Sequence, residues 1–168
     1  MILSATALDI ARTWIGEHEQ GGNNRGALPD RANDAVGAAR GSAWCTSLGF
    51  LGFLLAAQKC GLRNPFPRTA SSQQAARLIE PVTFSMNPSV GAWYILRHSP
   101  TTGHGGWVET CDGGNVLTEL SGNTFADHGG RAGNCFARHT GQPEVTHGGE
   151  LLGYWQLDLA AQHPPIVT

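Results

Sequence analysis

The stretch from Trp44 to Cys60, WCTSLGFLGFLLAAQKC, constrains the fold more than any other part of the chain. Leu48, Leu51 and Leu55 recur at helical spacing and Phe53 and Ala56 fall on an adjacent face, so the predicted helix is apolar nearly all round. Such a helix must be enclosed by protein, which makes it the expected centre of the domain. Gly61 stands where a left-handed C-cap ends a helix. Gly49 and Gly52 each cost up to about 1 kcal/mol relative to alanine in a helix, which is tolerable if another backbone packs closely against them. The apolar run stops at Gln58 and Lys59, short of the roughly 18 to 20 residues that span a bilayer, so no membrane partner is expected.

Around this helix the sequence divides into two halves. Ser4 is a plausible N-cap, with Leu3 and Leu8 placed for a hydrophobic staple, predicting a first helix over Ala5 to Glu17 with Leu8, Ala11 and Ile15 on one face. A weaker helical segment is expected over Asp30 to Ala39. Another, capped by Thr69 or Ser71, should end near Ile79 because Pro81 follows. After Pro88 the pattern turns extended: GAWYILRH, HGGWVETC, NVLTELSG, AGNCFARH and LLGYWQLDL read as strands, with a hairpin turn at CDGGNV. Helices first and an antiparallel sheet of about five strands afterwards predict an α+β fold. No repeat or linker interrupts the 168 residues, so a single domain over 1–168 is expected.

Eleven Lys and Arg spread singly, with a formal charge of -2, form no basic stripe, and nucleic acid is not an expected partner. Cys45, Cys60, Cys111 and Cys135 are too few and scattered for a disulfide scaffold or a zinc site. Cys60, Cys111 and Cys135 are expected core residues, with a Cys111–Cys135 disulfide an alternative in an oxidising compartment. No HExxH or other short ligand spacing occurs and the seven histidines are scattered, so no metal and no cofactor is expected.

Cys45 is different from the other three. In the first turn of the central helix it meets unpaired backbone N–H groups and the positive end of the helix dipole, which favour a thiolate. Free cysteine has a pKa of about 8.5, and a helix N-terminus with a protonated histidine can lower it to about 3.5 to 7.5. Among the histidines, His104 is the leading partner, because the turn TTGHGGWVE delivers it to the start of a strand whose glycines leave room for a substrate. His18 and His163 lie near element ends or the terminus, and His128 and His147 lie in Gly-flanked loops expected to be solvated. A third group must hold the imidazole, and Glu119, Ser121 and Asn123 share one face of the following strand by its period of two.

These residues, in this order, resemble the CHAP and NlpC-like branch of papain-like cysteine amidohydrolases, compact phage and bacterial cell-wall hydrolases. The resemblance covers most of the chain: ARTWIGEHEQGGNNRG resembles the opening helix and loop, GSAWCTSL the nucleophile segment, GAWYILR and GHGGWVE the first and histidine strands, ELSGNT the third-residue strand and LLGYWQLD the closing strand. It implies a papain-like fold, with the nucleophile at the start of a central helix packed on the sheet. By position it implies Cys45 as nucleophile, His104 as general base and Asn123 as the residue orienting His104. Many relatives carry Glu where this chain has Ser121, so Asn123, Glu119 or a backbone carbonyl is left as the third partner. Around the substrate it implies Trp44, with Asn24 and Arg25 of GGNNRG toward the carboxylates of a peptide stem, and Glu119 and Ser121 beside the base; Trp107 is a further candidate for the cleft.

The implied substrate is peptidoglycan, cut within its peptide stem or between the lactyl group and L-alanine. MILSATALDIARTWIG has helical periodicity rather than a basic and then apolar leader, so no signal peptide is expected. Delivery as a phage lysin or as an antibacterial effector acting in a target cell's periplasm follows, with a cognate immunity protein as a partner in the second case and a monomeric state in both. A non-catalytic peptidoglycan- or protein-binding module on the same fold is the alternative.

Overall fold

The computed structural model describes residues 2–79, 81–112, 116–124 and 135–158. Within them, helices α1 (Ile2–Arg12), α2 (Ala27–Val36), α3 (Cys45–Cys60) and α4 (Ser72–Leu78) come first. Strands β1 (Phe84–Ser85), β2 (Trp93–Arg97), β3 (Gly103–Cys111), β4 (Leu117–Thr124) and β5 (Cys135–Gly141) follow, then the short α5 (Pro143–His147) and β6 (Glu150–Trp155). The strands form one antiparallel sheet in the order β1-β6-β2-β3-β4-β5. The fold class is α+β, as the change of periodicity at Pro88 predicts. The sheet has six strands rather than about five, because the two-residue β1 pairs with β6 and is too short to leave a periodic signal. Gly113, Gly114 and Asn115 of the CDGGNV turn lie outside the described residues, as do His128 and His163.

Helix α3 is the centre. Leu48, Leu51, Phe53, Ala56 and Ala57 are buried in one cluster with Leu3, Ala7 and Leu8 of α1, Trp93 and Ile95 of β2, and Trp107 of β3. The alternate residues Tyr94, Leu96 and Val108 form a second cluster on the opposite face of the sheet. Gly61 adopts the left-handed conformation at φ 66° and caps α3 by donating to the carbonyls of Ala57 and Gln58. The partners of Gly49 and Gly52 are indoles rather than a backbone. A Cβ on Gly49 would stand 2.8 Å from Trp93, and one on Gly52 2.6 Å from Trp107. Trp93 and Trp107 are themselves packed edge to face, 4.7 Å apart at 88°, so two rigid rings fill the notch the glycines leave.

The first two helices begin earlier than expected. Ser4 is inside α1, 1% exposed, and does not cap it. The cap is remote: Oδ1 of Asp158 accepts from the backbone N–H groups of Leu3 at 2.7 Å and Ser4 at 3.1 Å. After Arg12 the chain tightens into turns with i to i−3 bonds from Thr13 and Trp14. Trp14 thereby turns in against Trp107 and Phe136, and Ile15 is left 40% exposed instead of on the buried face. Helix α2 starts at Ala27 because Pro29 occupies its first turn, where a missing N–H costs nothing. Helix α4 is capped by Ser71, whose hydroxyl accepts from Gln74 N–H.

One ion cluster ties α1 to the sheet. Glu109 on β3, 5% exposed, accepts from Arg12 Nε at 2.9 Å and Arg138 Nη2 at 2.7 Å, and also pairs with Arg138 Nε. The hydrogen bonds from Arg138 and then Arg12 hold its carboxyl below the usual carboxylate range, against the opposing effect of burial. A carboxyl depressed in the folded state stabilises the fold above its unfolded pKa of about 4.3, and that contribution is lost as pH falls through the folded value.

Two predictions follow from this packing. Gly52→Ala gains up to about 1 kcal/mol of helix propensity but overpacks a rigid indole at a typical cost of about 1 to 3 kcal/mol, so urea denaturation should show a net loss of stability; a gain would contradict the packing described. Glu109→Gln should lose about 1 to 2 kcal/mol at pH 7, a value near the lower end for charged hydrogen bonds because the two arginine side chains are 41% and 49% exposed. The gap between wild type and variant should close as the pH is lowered below about 4.

Candidate active site

Cys45 is the first residue of α3 and is 5% exposed. Thr46 Oγ1, at 3.8 Å, is its side-chain partner. Burial pushes the thiol pKa up, and the nearby Thr46 side chain and the backbone N–H groups of Thr46, Gly105 and Cys45 oppose this without cancelling it. The expectation that the helix terminus with a protonated histidine makes Cys45 acidic is therefore corrected: desolvation of a sulfur this deeply enclosed outweighs the N–H dipoles around it.

Gly105 directly follows His104. The His104 side chain belongs to the Tyr94 face of the sheet, since His104 pairs with Leu96 and the core-facing Trp107 pairs with Trp93. The thiol and imidazole thus approach the same glycine-only piece of β3 from α3 and from the opposite face. No hydrogen bond joins them. His104 is 6% exposed, its Nε2 is buried without a hydrogen-bond partner among the described residues, and its pKa is lowered well below the usual imidazole value, first by burial and then by His147, His98 and His139. It is a neutral imidazole with one buried nitrogen uncommitted. Gly106 has no room for a side chain, because a Cβ there would lie 2.6 Å from the Leu120 carbonyl and 2.8 Å from Tyr94.

Around His104 the same face carries a polar network. Glu119, 1% exposed, accepts from the Tyr94 hydroxyl at 3.0 Å and Ser121 Oγ at 3.4 Å, and its Oε1 lies 2.8 Å from His147 Nε2. The His147 ring is 4.4 Å from that of His104 and 5.1 Å from that of His139. Tyr94 has its pKa raised well above normal by burial and then by the charge of Glu119, and it also lies within electrostatic reach of Cys45. His147 is a correction: its side chain is 7% exposed, not solvated, because Pro143 starts α5 and folds the segment back over β4 and β5. The scatter of histidines along the sequence is likewise undone by the sheet, which brings His104, His139 and His147 together. Pro143 at a helix start was the one local signal for this, and burial against β4 had none.

The other expected residues divide differently. Asn123 sits at the bulge between Gly122 and Thr124 with φ 60°, so it breaks the two-residue alternation that Glu119 and Ser121 follow. Trp44 is fully buried, donates from Nε1 to Glu19 at 2.9 Å and packs against Gly122, and Trp107 is fully buried as well. Neither indole lines an open cleft. Asn24 and Arg25 serve their own loop: Asn24, at φ 56°, bonds Glu19 and the Gly41 carbonyl, and Arg25 pairs with Asp30 at 2.9 Å. None of the four cysteines is joined in a disulfide. Cys135 Sγ bonds the Thr124 carbonyl and Cys111 Sγ the Pro88 carbonyl, which corrects the disulfide alternative, while Cys60 is only partly buried and bonds Thr6.

Comparison with protein-family models, with curated proteins and with solved structures returned no match to this chain. What the fold and site define on their own is an α+β domain with a buried thiol at a helix N-terminus beside a histidine-rich polar row on the sheet.

Because burial raises the thiol pKa, alkylation of Cys45 by iodoacetamide, followed by peptide mapping, should accelerate with pH through and beyond pH 9. A plateau below pH 7 would mean that the sulfur is already a thiolate there and would contradict the electrostatics above.

Proposed function

We propose that the protein is a cysteine amidohydrolase that cuts an amide bond of peptidoglycan, either within the peptide stem or between the lactyl group and L-alanine. The observation that carries the reading is the placing of Cys45 in the first turn of a buried helix packed against β3, the strand that carries His104, whose buried Nε2 has no hydrogen-bond partner among the described residues. The resemblance of GSAWCTSL, GHGGWVE and ELSGNT to cell-wall hydrolases supplies the substrate class.

In this mechanism His104 takes the thiol proton through a bridging water, since the two side chains share no hydrogen bond, as Cys45 Sγ attacks the amide carbonyl carbon. The developing oxyanion is met by the backbone N–H of Cys45. His104 returns the proton to the leaving amine nitrogen, the C–N bond breaks, and a thioester remains on Cys45. Water, deprotonated by His104, then attacks the thioester and releases the carboxylic acid and the thiol. Starting from a neutral thiol and a neutral imidazole, proton transfer and attack are coupled, with no standing ion pair required. The group behind His104 is the His147–Glu119 pair on this geometry, with Asn123 at the bulge as the residue favoured by the resemblance. Such an enzyme would act at the cell wall, in the periplasm of a target cell if it is an antibacterial effector, and a producing cell would need an immunity protein against it.

Digestion of purified peptidoglycan followed by mass spectrometry of the muropeptides tests the reading. Wild type should release new free amines and acids at one defined amide bond, and Cys45→Ala and His104→Ala should lose about 10⁴-fold or more in rate. Unchanged muropeptides with folded wild-type protein, or full activity in Cys45→Ala, would overturn it; tight binding of intact peptidoglycan without cleavage would favour the non-catalytic module.

A further inference from the structure

The face of the sheet that carries His104 also assembles a second chemical group. Glu119 on β4, His139 on β5 and His147 at the end of α5 each offer one ligand atom, and these atoms all lie within 4.8 Å of one another. Two imidazoles and one carboxylate are a donor set suited to zinc and its first-row neighbours, whereas magnesium and calcium prefer oxygen alone. In a tetrahedral zinc site with bonds of about 2.0 to 2.1 Å the ligand atoms stand about 3.3 Å apart. Glu119 and His147 are already closer than that, at 2.8 Å, so small side-chain rotations bring the three to bonding distance.

Two further observations point to a cation. Glu119 is 1% exposed, and its hydrogen-bond partners among the described residues are a tyrosine, a serine and a histidine, with no lysine or arginine. A buried carboxyl group with such partners is suited to coordinate a positive ion. Beside this group lies His104, whose buried Nε2 has no hydrogen-bond partner among the described residues and whose ring is 4.4 Å from that of His147. His139 is only partly buried, which leaves a route from solvent.

We propose that Glu119, His139 and His147 form a binding site for one divalent zinc-like ion, with a water in the fourth position. Its ligands come from β4, β5 and α5, so the ion staples the short α5 to the edge of the sheet. The site uses no atom of Cys45 and its occupancy does not depend on whether Cys45 is a nucleophile.

Zinc chloride titrated into the metal-free full chain, followed by calorimetry and by thermal unfolding, tests this. One ion should bind per chain and raise the melting temperature. His139→Ala and, separately, Glu119→Gln should weaken binding by ~100-fold or more, since even outer-shell partners of metal ligands cost about 10- to 100-fold, while Cys45→Ala should bind as wild type does. Cobalt(II) in place of zinc should give visible bands of tetrahedral strength without the sulfur charge-transfer absorption of a thiolate ligand. Absence of a stoichiometric site, a sulfur charge-transfer band, or unaltered affinity in a folded His139→Ala chain would overturn the proposal. Circular dichroism of the metal-free variants separates loss of a ligand from loss of the fold.

Discussion

The packing of the Trp93 and Trp107 indoles into the notch of α3 is the contact on which the rest of the structure depends. The two rings meet edge to face at 4.7 Å, and each lies over a glycine of the helix, Trp93 over Gly49 and Trp107 over Gly52. Gly105 completes the nest, since a Cβ there would be 2.8 Å from Trp93. Neither indole N–H has a hydrogen-bond partner, a penalty of the order of 1 to 3 kcal/mol each that close aromatic packing must outweigh. This contact fixes how far along β2 and β3 the helix lies, and therefore where its first residue, Cys45, stands relative to β3.

From that point the site is built by two sides of one strand. Glycine at 105 lets the sulfur approach the backbone from the helix side, and glycine at 106 leaves the other face to Tyr94 and Ser121. Burial then acts on both groups in the same direction, favouring neutral thiol and neutral imidazole. Glu119, His139 and His147 form a polar row beside His104 on the same face of the sheet.

Much of the fold was legible because the signals were local. The extent of α3, its Gly61 cap, the Ser71 cap of α4 and the strands after Pro88 all rest on spacing within a few residues. The start of α1 was not legible, because its cap is Asp158, 154 residues away. Asn123 left the expected face because a bulge in pairing with β5 changed its phase, a property of the partner strand. His147 was misread for a related reason: its flanking glycines describe a loop, while its burial comes from β4 and β5. The raised pKa of the Cys45 thiol was not legible, since a helix terminus is visible in a sequence and the depth of burial is not.

The central claim is that chemistry at this site runs through the Cys45 sulfur. The most direct measurement is the residual rate of amide cleavage in peptidoglycan as a function of the fraction of Cys45 alkylated, read by peptide mass mapping. The account predicts that activity falls in proportion to Cys45 modification. Cleavage that survives complete alkylation of Cys45 would contradict it.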